Sequence, residues 1–151
     1  MARRVVLYGA TGHTGRFIAA EIVRRGWAPV LAGRNADALA VLAADYGVEA
    51  KAARVDDAGA LNELLAGADA IINAAGPFGD TSPHLIEAAL CAGISYFDVT
   101  AEPFVAKDVF ETYADRVRDT GVVVAPAFGF FGAIGDLLVT AAKADWDSVD
   151  R

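Results

Sequence analysis

A single cysteine, Cys91, is present among 151 residues. One thiol can neither close an internal disulfide nor build a cysteine metal cluster, so both are excluded and a reducing compartment is expected. Long hydrophobic runs are also missing, although 55% of the residues are apolar. The longest uncharged stretch, Thr120–Gly135, is interrupted by Pro126 and four glycines, which makes it too short and irregular for a transmembrane helix. The opening Met1-Ala-Arg-Arg4 has the charge of a secretory leader, but the apolar run Val5–Tyr8 behind it stops at Gly9, short of the roughly 7–15 apolar residues a leader needs. A cytoplasmic protein without a membrane span is expected. Positive charge is scarce: 13 Lys and Arg stand against 20 Asp and Glu, a formal net charge of -7. Residues 1–75 carry eight of each sign, and the imbalance lies in 76–151, with five basic and twelve acidic side chains. Nucleic-acid binding depends on neutralising phosphates, so a chain without a basic patch argues against such a partner. The neutral first half still leaves room for a small anion. No linker, low-complexity tract or repeat divides the chain, and its length suits one domain of about 100–150 residues.

What the sequence does contain is a regular alternation. Short apolar runs at Val5–Tyr8, Val30–Ala32, Glu49–Val55, Ala70–Asn73, Ser95–Val99 and Val122–Ala125 read as buried parallel strands. Between and after them lie helix-like segments near 13–25, 36–46, 58–66, 83–92, 104–119 and 135–144. Five of these stop at a glycine, Gly26, Gly47, Gly67, Gly93 and Gly121, the residue that most easily adopts the left-handed conformation closing a helix. Asn35 and Ser82 are expected as N-caps, with Pro83 and Pro103 in first-turn positions. Strict strand–helix alternation predicts an α/β fold, a Rossmann-type doubly wound parallel sheet of about six strands with helices on both faces.

The loop Gly9-Ala-Thr-Gly12-His-Thr-Gly15 follows the first strand and opens the first helix. That context makes a glycine pattern informative. Gly9 permits a tight turn, Gly12 lets backbone approach a pyrophosphate, and Gly15 lets the helix pack close to the strand. The free amides of His13, Thr14 and Gly15 at the positive helix end would hold the diphosphate, with hydroxyls of Thr11 and Thr14 beside them. A nucleotide-triphosphate P-loop is excluded, because no Gly-Lys-Ser/Thr follows. The second strand ends Leu31-Ala-Gly33-Arg34-Asn35. An NAD site usually places a carboxylate there for the ribose hydroxyls. Arg34 instead offers a guanidinium fork for a 2′-phosphate and a flat face for adenine, so NADP(H) is expected in preference to NAD(H). Asp56 either accepts from the adenine amino group or is only a helix N-cap. Asn73-Ala-Ala75-Gly76-Pro77-Phe78 ends the fourth strand in small residues that let backbone lie along the nicotinamide side, or simply turns.

Taken together, Gly9–Arg16, Leu31–Asn35, Asn73–Phe78 and Tyr96-Phe-Asp-Val-Thr-Ala-Glu102 resemble the NADP-binding domain of the saccharopine dehydrogenase-like oxidoreductases, a group that includes saccharopine reductases and trans-acting enoyl reductases. The similarity spans about residues 4–140. It implies hydride transfer with NADP(H), the dinucleotide lying over Gly9–Gly15, Arg34 and Ala75–Pro77. Two positions depart from the usual pattern: Ala101 stands where glycine is common, and Ile134 where proline is common. The resemblance also implies a further domain that builds the substrate site and subunit contacts, absent from residues 1–151, or a homodimer.

A catalytic group is harder to find. The Tyr-x-x-x-Lys dyad of short-chain enzymes, sugar epimerases included, is missing, since Gly47, Pro103 and Val139 precede Lys51, Lys107 and Lys143 by four. Cys91, in an apolar helix, is expected as a small core residue, and His84 as an exposed one. Asp98 and Glu102 flank the end of the fifth strand and are the candidates to orient or protonate a small-molecule substrate; alternatively they cap a turn and a helix. Phe128-Gly-Phe-Phe131 is too apolar for a free loop and is expected under a missing domain, in an acyl pocket or at a dimer contact. Two functions remain open: the cofactor domain of an NADP(H)-dependent oxidoreductase acting on an amino-acid-derived imine or an enoyl or acyl compound, or a noncatalytic NADP(H)-binding sensor or scaffold.

Overall fold

The computed structural model describes residues 3–143. Six strands, β1 (Val5–Tyr8), β2 (Val30–Gly33), β3 (Ala50–Ala52), β4 (Ala70–Asn73), β5 (Ser95–Asp98) and β6 (Val124–Ala125), form one sheet in the order β3-β2-β1-β4-β5-β6. Every neighbouring pair is parallel. The strand order reverses between β1 and β4, where Tyr8 lies level with Asn73. Parallel strands need crossovers, and five helices supply them: α1 (His13–Arg24), α2 (Ala36–Tyr46), α3 (Ala58–Leu65), α4 (Phe78–Ala92) and α5 (Pro103–Val117). A π-helical turn at Phe130–Ile134 leads into α6 (Gly135–Lys143).

Side chains alternate across the sheet, so β1 feeds two cores. Leu7 and Leu31 pack with Ala19 of α1 and Leu39, Leu42 and Ala43 of α2 on one face. Val6, Tyr8, Ile71 and Tyr96 face the other way, against Leu61 and Leu64 of α3, Leu85 and Ile86 of α4, and Val109 and Tyr113 of α5. The five expected helix-stop glycines all have positive φ, from 65° to 80°. Asn35 caps α2 by accepting from Ala38 N, as expected.

Four expectations need correction. Helix α4 begins at Phe78, five residues before the expected start, so Ser82 is no N-cap and Pro83 lies inside the helix. Pro83 removes one bond to the Gly79 carbonyl, and the early turn is held instead by a carboxylate distant in sequence, described below. The N-cap of α3 is Asp57, which accepts from Ala60 N, rather than Asp56. Cys91 is exposed: α4 turns Leu85, Ile86, Ala88 and Ala89 inward, and position 91 falls on the outer face with His84 and Glu87, both also exposed. Finally, β3 and β6 are shorter than their apolar runs, ending where pairing with β2 and β5 ends. Residue 144, expected to close the last helix, lies outside the described residues.

Candidate functional site: a cleft at the sheet's switch point

A cleft of about 320 Å³ opens at the carboxyl ends of the strands, over the β1/β4 reversal. In an open α/β sheet this is where loops diverge to either face and leave a crevice for a ligand. Its floor is the β1–α1 loop. Gly9 has φ 81°, and a Cβ there would come within 2.7 Å of Ala75 N. A Cβ on Gly15 would collide with the Gly9 carbonyl oxygen. Both positions therefore require glycine, one for conformation and space, the other for the close approach of α1 to the strand. The loop is tied to its neighbours by Gly9 N to Ala32 O (2.8 Å), Ala74 N to Tyr8 O (2.8 Å) and Gly12 N to Gly9 O (3.0 Å). No side chain caps α1 at Gly12. The first-turn amides, including those of His13, Thr14 and Gly15, thus lack intrahelical acceptors and a side-chain cap.

Of the residues read from the sequence, Gly9, Thr11, Gly12, Arg34, Asp56, Ala75 and Gly76 line this cleft together. His13, Thr14, Gly15, Asn35 and Pro77 do not line it: Gly15 is buried behind the loop, Asn35 is engaged as the α2 cap, and the His13 ring sits edge-on to Phe17 at 5.1 Å. Pro77 is the N-cap of α4. Tyr8, Arg54, Val55 and Thr81, which carry no motif, also line the cleft, with Gly33 and Ala74 from the β2 and β4 motifs. Tyr8 was legible only through strand alternation, which turns it to the same face as Val6. Its hydroxyl donates to Ala53 O at 3.0 Å. Burial pushes the Tyr8 phenol above its ordinary pKa, Arg34 and Arg54 pull it back, and Asp56 opposes them, so all three charges act at one point.

The far wall is held by a buried polar network. Asn73, fully buried at the end of β4, accepts from Ala75 N (2.9 Å) and donates to Thr81 Oγ1 (3.0 Å) and Tyr96 Oη (3.1 Å). Thr81 in turn donates to Ala75 O at 2.6 Å. Tyr96 donates to Asp98 Oδ2 (2.8 Å) and sits 2.9 Å from Ser82 Oγ. Burial, then the adjacent Asp98 carboxylate, drives the Tyr96 phenol far above its ordinary value. Asp98 is 1% exposed; its other oxygen accepts from Thr100 N (3.0 Å) and Ala127 N (2.8 Å). Glu102 occupies the N-cap position of α5 without capping it. Its carboxylate reaches α4 instead, accepting from Phe78 N (3.0 Å) and Gly79 N (3.4 Å), which satisfies first-turn donors and suits the helix dipole.

The cleft fits a phosphorylated dinucleotide. Two closely packed glycines, an uncapped helix end and two guanidiniums at the tips of β2 and β3 are what a diphosphate and a ribose phosphate require. Cleft residues give the strand-end carboxylate typical of an NAD site no place at the β2 tip, where Gly33 and Arg34 stand.

Comparison with known proteins agrees. Residues 5–125 match the saccharopine dehydrogenase NADP binding domain family. A Mycobacterium tuberculosis protein described as a candidate trans-acting enoyl reductase is 31% identical over 144 residues, covering 91% of this chain and 34% of the relative. A lipid droplet localized protein of Caenorhabditis elegans is 28% identical over 155 residues, covering 94% of this chain and 36% of its own length. The chain thus spans about a third of the curated relatives it matches. Saccharopine dehydrogenase (L-Glu forming) from Saccharomyces cerevisiae shares the fold with a TM-score of 0.73 at 19% identity, over 93% of this chain and 30% of that one. No helix among the described residues is long and apolar enough to cross a membrane. The chain belongs to the saccharopine dehydrogenase NADP-binding domain family, and NADP(H) is its cofactor.

Proposed function

We propose that this chain is the cofactor domain of an NADP(H)-dependent oxidoreductase that transfers a hydride to or from an enoyl or acyl compound, or an amino-acid-derived imine. The observation that carries this reading is the cleft over the β1/β4 reversal, with Gly9 and Gly15 in contact-limited positions and Arg34 at its rim. The loop amides of Gly12–Gly15 and the α1 N-terminus take the diphosphate, Arg34 the 2′-phosphate, and the Ala74–Pro77 backbone the nicotinamide side. When bound, the cofactor would donate or accept a hydride at its nicotinamide ring. The chain's own part is to fix the dinucleotide along the strand ends. Asp98 and Glu102, the candidates for proton handling, act here as positioning residues: one organises the β5 end and the Ala127 turn, the other anchors α4.

Leu137, Leu138 and Val139 of α6 are exposed, as are Ile134 and Phe128, the last packed on Phe97 at 5.7 Å. We propose that this strip is covered by the further domain the resemblance implies, which would also bring the substrate site. A sample of the isolated chain that dimerises through α6 in light scattering would favour a second copy instead.

A noncatalytic NADP(H)-binding role is the second reading, favoured by the engagement of both Asp98 and Glu102 in internal hydrogen bonds. Turnover separates the two. Full-length protein supplied with NADPH and a panel of enoyl thioesters and oxo-acid/amine pairs should consume NADPH; binding without consumption of any member supports the second reading. Arg34→Asp should weaken NADPH by about tenfold or more while changing NADH little, as loss of a charge-assisted phosphate contact predicts. Equal losses for both cofactors in calorimetry would sink the 2′-phosphate assignment.

A further inference from the structure

Arg54 is a charged cleft residue that no motif announces. It follows β3, and β3 pairs with β2 so that Ala52 lies level with Gly33; Ala53 N donates to Gly33 O at 2.9 Å. Neighbouring strands are about 4.8 Å apart, so the chain delivers Arg34 and Arg54 to one rim from adjacent strand ends. Both line the cleft, as does Asp56. Arg54 grips Asp56 with two contacts, Nε to Oδ1 at 2.9 Å and NH2 to Oδ2 at 2.8 Å. The side chains are 71% and 56% exposed, so the pair is strongly screened and is easily exchanged for a better acceptor.

We propose that Arg54 is a second specificity-determining residue of the dinucleotide site, leaving Asp56 to grip the 2′-phosphate together with Arg34. This rests on the cofactor reading above and deepens it. A phosphate dianion offers two negative charges and three oxygens in place of one carboxylate, which matches two guanidinium forks. The same contact works against the unphosphorylated cofactor. Ribose hydroxyls need a carboxylate acceptor, and the one carboxylate lining this cleft among the described residues, Asp56, is held by Arg54 when no phosphate competes for it. Only the phosphorylated cofactor draws Arg54 away and frees Asp56 for the adenine amino group. Selectivity then comes from a three-residue exchange, Arg34, Arg54 and Asp56, rather than from Arg34 alone.

The test is calorimetric titration of the whole chain with NADPH, NADH, 2′,5′-ADP and 5′-AMP, for wild type, Arg54→Gln, Arg54→Lys and Arg34→Gln with Arg54→Gln. Arg54→Gln should weaken NADPH and 2′,5′-ADP by about tenfold, the scale of one charge-assisted contact, and flatten the salt dependence of both. NADH and 5′-AMP should stay within about twofold, or tighten as Asp56 is released. Arg54→Lys, which keeps the charge and loses the fork, should fall between, and the double variant should bind NADPH and NADH alike. An unchanged urea midpoint for Arg54→Gln keeps a folding defect out of the reading. NADPH affinity within twofold of wild type in Arg54→Gln overturns the role of Arg54 while leaving the cofactor site standing. A wild-type chain that binds neither NADPH nor NADH overturns the cofactor reading and Arg54's role with it.

Discussion

The two sides of the switch point are built from different materials. On the β1–β3 side, strands and helices meet through Leu7, Leu31, Leu39 and Leu42, and the charges that line the cleft, Arg34, Arg54 and Asp56, are exposed. On the β4–β6 side, Asn73, Thr81, Ser82, Asp98 and Thr100 are all buried and joined through Tyr96 into one hydrogen-bonded unit. An apolar base with exposed charges suits electrostatic recognition of a phosphate, where side chains must reach out. A wall of satisfied buried polar groups suits a loop, Ala74–Pro77, that must keep one backbone shape. The first side can exchange partners cheaply, while the second cannot lose a partner without exposing several unpaired donors.

The contrast is most sharply broken at Asp98. Asp98→Ala strands the amides of Thr100 and Ala127 and the Tyr96 hydroxyl, and should lower unfolding free energy by about 3–5 kcal/mol, measured by urea denaturation; Asp98→Asn, keeping an acceptor, should cost less. On the apolar side, Leu39→Ala, at a 1% exposed site, should cost about 2–4 kcal/mol by lost transfer energy and cavity formation, with the hydrogen bonds of the β4 loop preserved. Tyr96→Phe should cost about 1 kcal/mol at neutral pH. It should also change the alkaline limb. The folded-state pKa of Tyr96 lies far above its ordinary value of 10.0, so its contribution is present below pH 10 and declines as the unfolded chain ionises above it. Wild type should therefore lose stability between pH 9 and 11 more steeply than Tyr96→Phe, read as the shift in urea midpoint. The smallest effect belongs to the surface. Arg4 donates to Glu49 and holds that carboxyl below its usual range, so the pair stabilises at neutral pH and fades as pH falls through the depressed value. Glu49→Gln should cost less than about 1 kcal/mol and the difference should vanish in high salt.

Much of the first side was legible from the sequence because its signals are local. The glycine spacing, the strand directly before it and Arg34 at the next strand end all lie within short stretches of chain. The helix-stop glycines marked boundaries for the same reason. Arg54 was not legible, because it reads as one more surface charge until the β2–β3 register brings it beside Arg34. The start of α4 is hidden for a related cause: the carboxylate that satisfies it is Glu102, 24 residues downstream, whereas the visible Ser82-Pro83 pair points to a later start. The apolar neighbours of Cys91 suggest an inward position, whereas helical phase, fixed by Leu85 and Ala89, turns it out. Asp98 and Glu102 could be located at the strand end from sequence, but their hydrogen-bond partners come from α4 and the Ala127 turn, which only the fold assembles.

Whether one dinucleotide lies across both sides of the switch point is tested most directly by amide chemical-shift mapping of the labelled chain titrated with NADPH. Perturbations are expected at Gly9, Thr11–Gly15, Arg34, Arg54–Asp56 and Ala74–Phe78, on both sides of the β1/β4 reversal. Perturbations confined to the groove between α3 and α4, around His84 and Cys91, or to α6, with the glycine loop unmoved at saturation, would contradict it.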